Sequence, residues 1–313
     1  PTQDAAGQAG ENDVTDNGRV EMVGFVGQLH RQLTMLTFER GWTLAALANT
    51  VNVGGNFVRT GGVLTFTTGT LTFDGAVAQA FNPVGSTLYD LVINNTGPAA
   101  VTPSAGLTIH GLTLTSGTLV MGANALNVSG DWVRTGGAAT STGTVTFDGA
   151  GAQAVNPVGS TFQDVVVNSV GPVTVSNTLT IRNLTSTAGV LSMGANGLNI
   201  SGNWTRVAGT VSSTGTVTFN GAAAQSVDPT GSALQNVTVN AVGPVNLAGA
   251  LDLNGNLAFT TGTLAAGANS VNVGGNLTRV AGGLTSTGTV TFDGAGAQSV
   301  DPTGSTFQDV VVN

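Results

Sequence analysis

The sequence predicts an all-β chain wound as a parallel β-helix, with about 18 residues per coil and four coils in each repeat of about 73 residues. Three observations predict it. One motif set recurs in a single register along most of the chain. Short runs rich in Val, Ile, Thr and Phe return at intervals too long for tight hairpins. Glycines and Asx-Pro turns separate those runs.

The repeat comes first. Gly-Thr-(Leu/Val)-Thr-Phe-(Asp/Asn)-Gly occurs at 69–75, 143–149, 215–221 and 288–294. Its phenylalanines are Phe73, Phe147, Phe219 and Phe292, so the steps are 74, 72 and 73. The block Gly-Ala-Gly-Ala-Gln-Ala-Val-Asn-Pro-Val-Gly-Ser-Thr at 149–161 has copies starting at Gly75, Gly221 and Gly294. Thr-Phe-Gln-Asp-Val-Val-Val-Asn at 161–168 is echoed at 87–94, 233–240 and 306–313.

Within one unit the β-like runs begin at Leu126, Thr144, Asp164 and Leu179, and the next unit opens at Leu198, so the gaps are 18, 20, 15 and 19. Apolar residues alternate within each run, as in strands buried on one side. Asn82-Pro83, Asn156-Pro157, Asp228-Pro229 and Asp301-Pro302 mark turns. Parallel coils stacked about 4.8 Å apart would bury each coil's inward side chains on its neighbour. About 15 coils, roughly 70 Å of solenoid, would follow on that spacing. Leu107 with Ile109, Leu179 with Ile181, Leu251 with Leu253, and the four phenylalanines are expected in the core. For Val92, Val166, Thr238 and Val311 the alternation leaves open whether they or their neighbours point inward.

The solenoid is expected over residues 46–313, the last unit being incomplete. Residues 1–18 are polar, acidic and aperiodic, which reads as a flexible arm or as a segment that orders only on a partner. Residues 19–45 read as a cap or as first coils. Phe25, Leu29, Leu33 and Leu36 are spaced as on an amphipathic helix, a possible short cap over an otherwise open sheet edge. Leu36-Thr37-Phe38 also matches Leu112-Thr113-Leu114, so the alternative of an early coil stays open. At the other end Val310, Val311 and Val312 close the sequence in the middle of a unit. One reading is a trimmed or disordered remainder. The other is a second subunit that continues the solenoid, with Phe25, Leu29, Leu33, Val310, Val311 and Val312 as candidate interface residues and copies of the same chain as partner. Pro1 without a leader before it reads as a processed or trimmed chain.

Composition narrows the function. Only 8% of residues are charged, against 41% hydrophobic, and the net charge is −8. All eight basic residues are Arg. This lacks the basic footprint of a nucleic-acid binder and the basic handle for an anionic membrane, and no apolar run is long enough for membrane insertion. Cysteine is absent, which removes thiolate ligands and a Cys nucleophile.

Candidate sites each meet a plain alternative. Arg59, Arg134, Arg206 and Arg279 recur once per unit, too far apart for one small ligand, and read as partners of carboxylates such as Asp148. Phe57, Trp132 and Trp204 could stack on sugars, but Leu277 at the matching position argues for packing. Asp74, Asp148 and Asp293 lack a calcium-loop pattern, with Asn220 in the third copy, and read as turn residues. Thr-x-Thr pairs such as Thr144/Thr146 and Thr216/Thr218 raise ice binding. An ordered-water array needs Thr on consecutive coils of one face, and on a four-coil repeat these pairs return only once in four. His30 and His110 lie apart and no nucleophile, metal or phosphate motif occurs. The expectation is a non-enzymatic chain with no catalytic residues, metal or cofactor.

The phrases at 115–132, 143–155 and 161–185 resemble the strand repeats of large bacterial cell-surface proteins, in the style of filamentous-haemagglutinin and autotransporter passenger regions. The resemblance covers about 36–313. It implies a right-handed parallel β-helix, export to the bacterial surface, and a structural or adhesive role. A surface filament subunit is the leading expectation, an adhesin stalk the alternative, and an ice- or glycan-binding solenoid the third, with surface glycans as possible partners.

Overall fold

The computed structural model describes residues 19–21, 33–38, 43–59, 61, 63–96 and 100–313. These residues form a parallel β-solenoid of about 13 turns. Among the described residues the strands pair in parallel, for example Leu126–Val128 against Val145–Phe147 and Leu251–Leu253 against Val271–Val273. The described residues up to 120, with 135–137, make one compact unit, and 121–134 with 138–313 make the second.

The first unit carries a column in which Val51, Leu71, Leu91 and Leu112 lie opposite one another in successive turns. All four are buried. Of the region predicted as cap or first coils, Arg19–Glu21, Leu33–Phe38 and Thr43–Leu47 are strands. Leu36 stands opposite Phe57 in a parallel ladder, so at Leu33 and Leu36 the backbone is a coil strand and not the helix that their spacing suggested. Phe25 and Leu29, and the arm at 1–18, lie outside the described residues.

The second unit shows how the coil is built. Leu126, Val145, Val165, Leu184 and Trp204 occupy one inward column, with steps of 19, 20, 19 and 20 along the chain. Leu179, Leu198, Val217, Val237, Leu257 and Leu277 occupy another, with steps of 19, 19, 20, 20 and 20. All are buried. A coil therefore takes about 20 residues of a stacked solenoid, a little more than the sequence spacing gives. A repeat of about 73 residues then holds fewer than four coils.

The physical reason is a third of a turn. Between Leu126 and Leu198 lie nine strands, two of which, Ala138–Phe147 and Thr161–Asn168, turn a corner and serve two faces. That makes eleven segments on a three-faced coil, or three and two-thirds turns per repeat. Each repeat therefore starts on a different face from the one before. Leu126 shares a column with Trp204, whereas its repeat equivalent Leu198 shares one with Leu277.

Four local devices make the corners. Ser141, Ser213 and Ser286 are buried, and their hydroxyls bond the main chain of Gly143, Gly215 and Gly288 where the long strands bend. Gly159 and Gly231, at φ +72° and +71°, end the Asx-Pro-x-Gly turns in the left-handed region that favours glycine. Asparagines bridge turns along the strand edges. Asn183 Oδ1 accepts from Asn203 N at 2.7 Å, and Asn203 Oδ1 from Ser226 N at 2.9 Å. One repeat later, on the next face, Asn256 Oδ1 accepts from Asn276 N at 2.7 Å, and Asn276 Oδ1 from Ser299 N at 2.8 Å.

The fourth device is a buried glutamine, which the sequence reading missed. Gln153 Oε1 accepts from Gly149 N at 3.0 Å, while its Nε2 donates to Val128 O and Gly130 O at 2.9 and 2.8 Å. Gln79, Gln225 and Gln298 make the same three bonds in their repeats. The glycine before the clamp has no room for a side chain, because a Cβ on Gly149 would collide with Ser129 O and the Gln153 side chain. Gly149→Ala is expected to lower the thermal midpoint by several degrees, whereas Gly151→Ala, where a Cβ meets nothing within 4 Å, leaves it within a degree or so.

Candidate functional site

The chemistry-bearing side chains are spread along the strand ends and corners. Leu107, Ile109, Leu179, Ile181, Leu251 and Leu253 are buried, as are Phe73, Phe147, Phe219 and Phe292. The undecided facing is resolved. Leu91 with Ile93, Val165 with Val167, and Val237 with Val239 point inward, so Val92, Val166 and Thr238 lie on the outer surface.

The aromatic positions are core. Phe57, Trp132, Trp204 and Leu277 are each 1% exposed. Trp132 meets Phe162 edge-on with centroids 5.2 Å apart, and Phe57 meets Phe81 at 5.3 Å. These rings have no free face for a sugar.

Three of the four recurring arginines bond main-chain carbonyls, partners that the sequence reading did not name. Arg59 Nε donates to Gly61 O at 2.7 Å, Arg206 Nε to Gly209 O at 3.1 Å, and Arg279 Nε to Gly282 O at 2.6 Å. The guanidinium groups of Arg59, Arg134 and Arg279 also lie against Gly85, Gly159 and Gly304 of the adjoining turns. A planar fork of N–H donors suits this role, pinning main-chain carbonyls that a short loop exposes. Beside Arg279, the Asp301 carboxyl is held below its ordinary value, first by the Thr303 side-chain hydrogen bond, then by the Thr303 amide, and least by the arginine.

One corner position varies in chemistry from copy to copy. In the first unit His110 Nδ1 lies 3.2 Å from Asp90 Oδ1, and its ring stacks on Tyr89 at 4.3 Å with 11° between planes. Asp90 Oδ1 also accepts from Gly111 N at 3.0 Å. In the second copy Arg182 Nη2 bonds both oxygens of Asp164 at 3.1 Å, and Asn183 Nδ2 donates to Asp164 Oδ1 at 2.7 Å. The third copy carries Asn236 and Asn254. With side chains 52% and 30% exposed, the Arg182–Asp164 pair is screened by solvent. Arg182→Ala is expected to change unfolding free energy by less than about 1 kcal/mol in chemical denaturation.

Asp74, Asp148, Asn220 and Asp293 extend the ladders through their main-chain N–H groups, which donate to Val53, Val128, Ile200 and Val273. Among the described residues no three His, Cys, Asp or Glu side chains come together as a metal site. No helix among the described residues is long and apolar enough to cross a membrane.

The final strand, Thr306–Val312, pairs with Gly283–Phe292. Val310 lies opposite Val290 and Val312 opposite Phe292, both core positions. Yet Val310, Val311 and Val312 are 49%, 40% and 76% exposed, because among the described residues nothing stacks on this strand. No family model, curated protein or solved structure matches the chain.

Proposed function

We propose that this chain is a non-catalytic structural protein of the bacterial cell surface, a subunit that assembles end to end by solenoid stacking. The observation that carries the reading is the stacking of successive turns, each burying an apolar column on the next through parallel ladders. A terminal turn of such a stack offers the same column, with its N–H and C=O groups, to a further parallel strand. A second copy of the chain would supply that strand. Such a head-to-tail contact does not close on itself and builds a filament. The repeat resemblance to exported surface proteins supports the location.

Electron microscopy of the purified chain, with sedimentation across a concentration series, tests it. Fibres that lengthen with concentration are expected, and Val312→Lys is expected to abolish them by placing a charge on the buried column. Particles of monomer mass at every concentration would refute assembly and favour the stalk of an adhesin, whose glycan partners an array would then identify.

A further inference from the structure

We propose that the face of the second unit built on Leu179–Ile181, Leu198–Ile200 and the coils that follow binds ice. The rotation of each repeat by a third of a turn is what creates it. Strands of different type, distant in the repeat, fall on one face in consecutive turns. Their outward central residues form one row: Thr180 opposite Asn199, then Thr218, Thr238, Ala258 and Thr278. Hydroxyls stand on a single face at four of six turns, and on consecutive turns at Thr218 and Thr238.

A second row runs beside it. Thr216, Asn236, Asn256 and Asn276 lie two positions before Thr218, Thr238, Ala258 and Thr278. The asparagine amides are held by the next turn's main chain, Asn236 Oδ1 accepting from Asn256 N at 3.0 Å. Asn199 Nδ2 donates to Thr180 Oγ1 at 3.1 Å along the row. Threonine is stiff at χ1, which fixes the hydroxyls of the first row, and the bonds to the next turn's main chain fix the asparagines of the second.

The face carries no charged or aromatic side chain between Thr180 and Thr278 along these two rows. The arginines that border it are turned to other partners, Arg182 to Asp164 and Arg279 to Gly282 O. A protein, nucleic-acid or acidic-glycan partner would find neither charge nor an aromatic anchor there. What the face does offer is threonine methyl and hydroxyl groups at four of six turns, set on the strand spacing of about 4.8 Å along roughly 24 Å, with asparagine amides beside them. That spacing is close to the repeat of the oxygen lattice of ice, so hydroxyls that donate and accept hold water in an ice-like arrangement. The rows run along the side of the coils, so ice binding there does not depend on end-to-end assembly.

The test is uptake of the full chain into slowly growing ice, compared with a non-binding protein of similar size, together with shaping of single ice crystals. Uptake well above that reference is expected. The double variant Thr218→Tyr/Thr238→Tyr is expected to fall to the reference level. Ser192→Tyr/Ser212→Tyr, on another face, retains uptake. Circular dichroism confirms that each variant is folded. Ala258→Thr, which fills the gap in the row, is expected to raise uptake and serves if the tyrosine pair does not fold. Wild-type uptake at the reference level overturns the proposal. So does equal loss in both tyrosine pairs, or adsorption to crystalline polysaccharide in place of ice.

Discussion

Trp204→Ala lowers the unfolding free energy by about 3–5 kcal/mol, the cost of removing a large buried ring from a packed column. Trp204 is 1% exposed, and it stands between Leu184 in one turn and Val227 in the next. Stacked coils touch only their neighbours, so a void at one turn weakens both of its interfaces and has no distant contact to compensate it. Trp204→Leu is expected to cost less. Leucine already fills the equivalent position as Leu277, also 1% exposed. The substitution also removes an indole Nε1 that is buried with no hydrogen-bond partner, a liability of about 1–3 kcal/mol. Urea unfolding of the three proteins checks the order. A leucine variant less stable than the alanine variant would show that the indole is held by something other than packing.

Trp132 and Trp204 show what the sequence could and could not tell. Trp132 and Trp204 are related by the repeat, and their burial was legible from the leucine that replaces them in the last copy. Their place in space was not. Trp132 lies opposite Val155, while Trp204 shares its column with Leu126. Sequence periodicity reports the repeat, and only an integer number of turns per repeat makes sequence columns into spatial columns. The short runs between the evident strands, such as Val173–Val175, were visible in the sequence. They fit a coil of two or three faces, and Val173–Val175 is a face of its own. The coil came out too short because the 15-residue step from Asp164 to Leu179 was counted as a whole turn, although it passes from one column to another. The carbonyl partners of Arg59, Arg206 and Arg279 were missed for a related reason. They belong to glycines a few positions ahead, and carbonyls are present at every position and so leave no trace in a sequence. The glutamine did leave one, a Gln at the fourth position after each repeat glycine, but a polar residue in a turn-like block looks like surface.

Gln225→Leu is expected to cost about 2–4 kcal/mol, although leucine is apolar and the site is 1% exposed. The glutamine Oε1 accepts from Gly221 N at 2.9 Å, and its Nε2 donates to Gly202 O at 2.6 Å and Ile200 O at 3.0 Å. Ile200 O keeps a second donor in Asn220 N. Gly221 N and Gly202 O lose theirs, and a buried main-chain group without a partner costs more than the hydrogen bond itself contributes. Gln225→Glu separates this explanation from loss of shape. A carboxylate there would face two carbonyl oxygens away from water, which destabilises the charged form and raises its folded pKa above the unfolded value of about 4.3. The folded state then binds more protons than the unfolded state through that interval, so the variant loses stability as pH rises and regains it on acidification, when the protonated acid can donate one hydrogen bond. Thermal midpoints of wild type and both variants between about pH 4 and pH 8 read the difference directly. A glutamate variant that follows the wild-type pH profile, or a leucine variant that melts with wild type, would mean that the corner is held by its glycines and strand ladder alone.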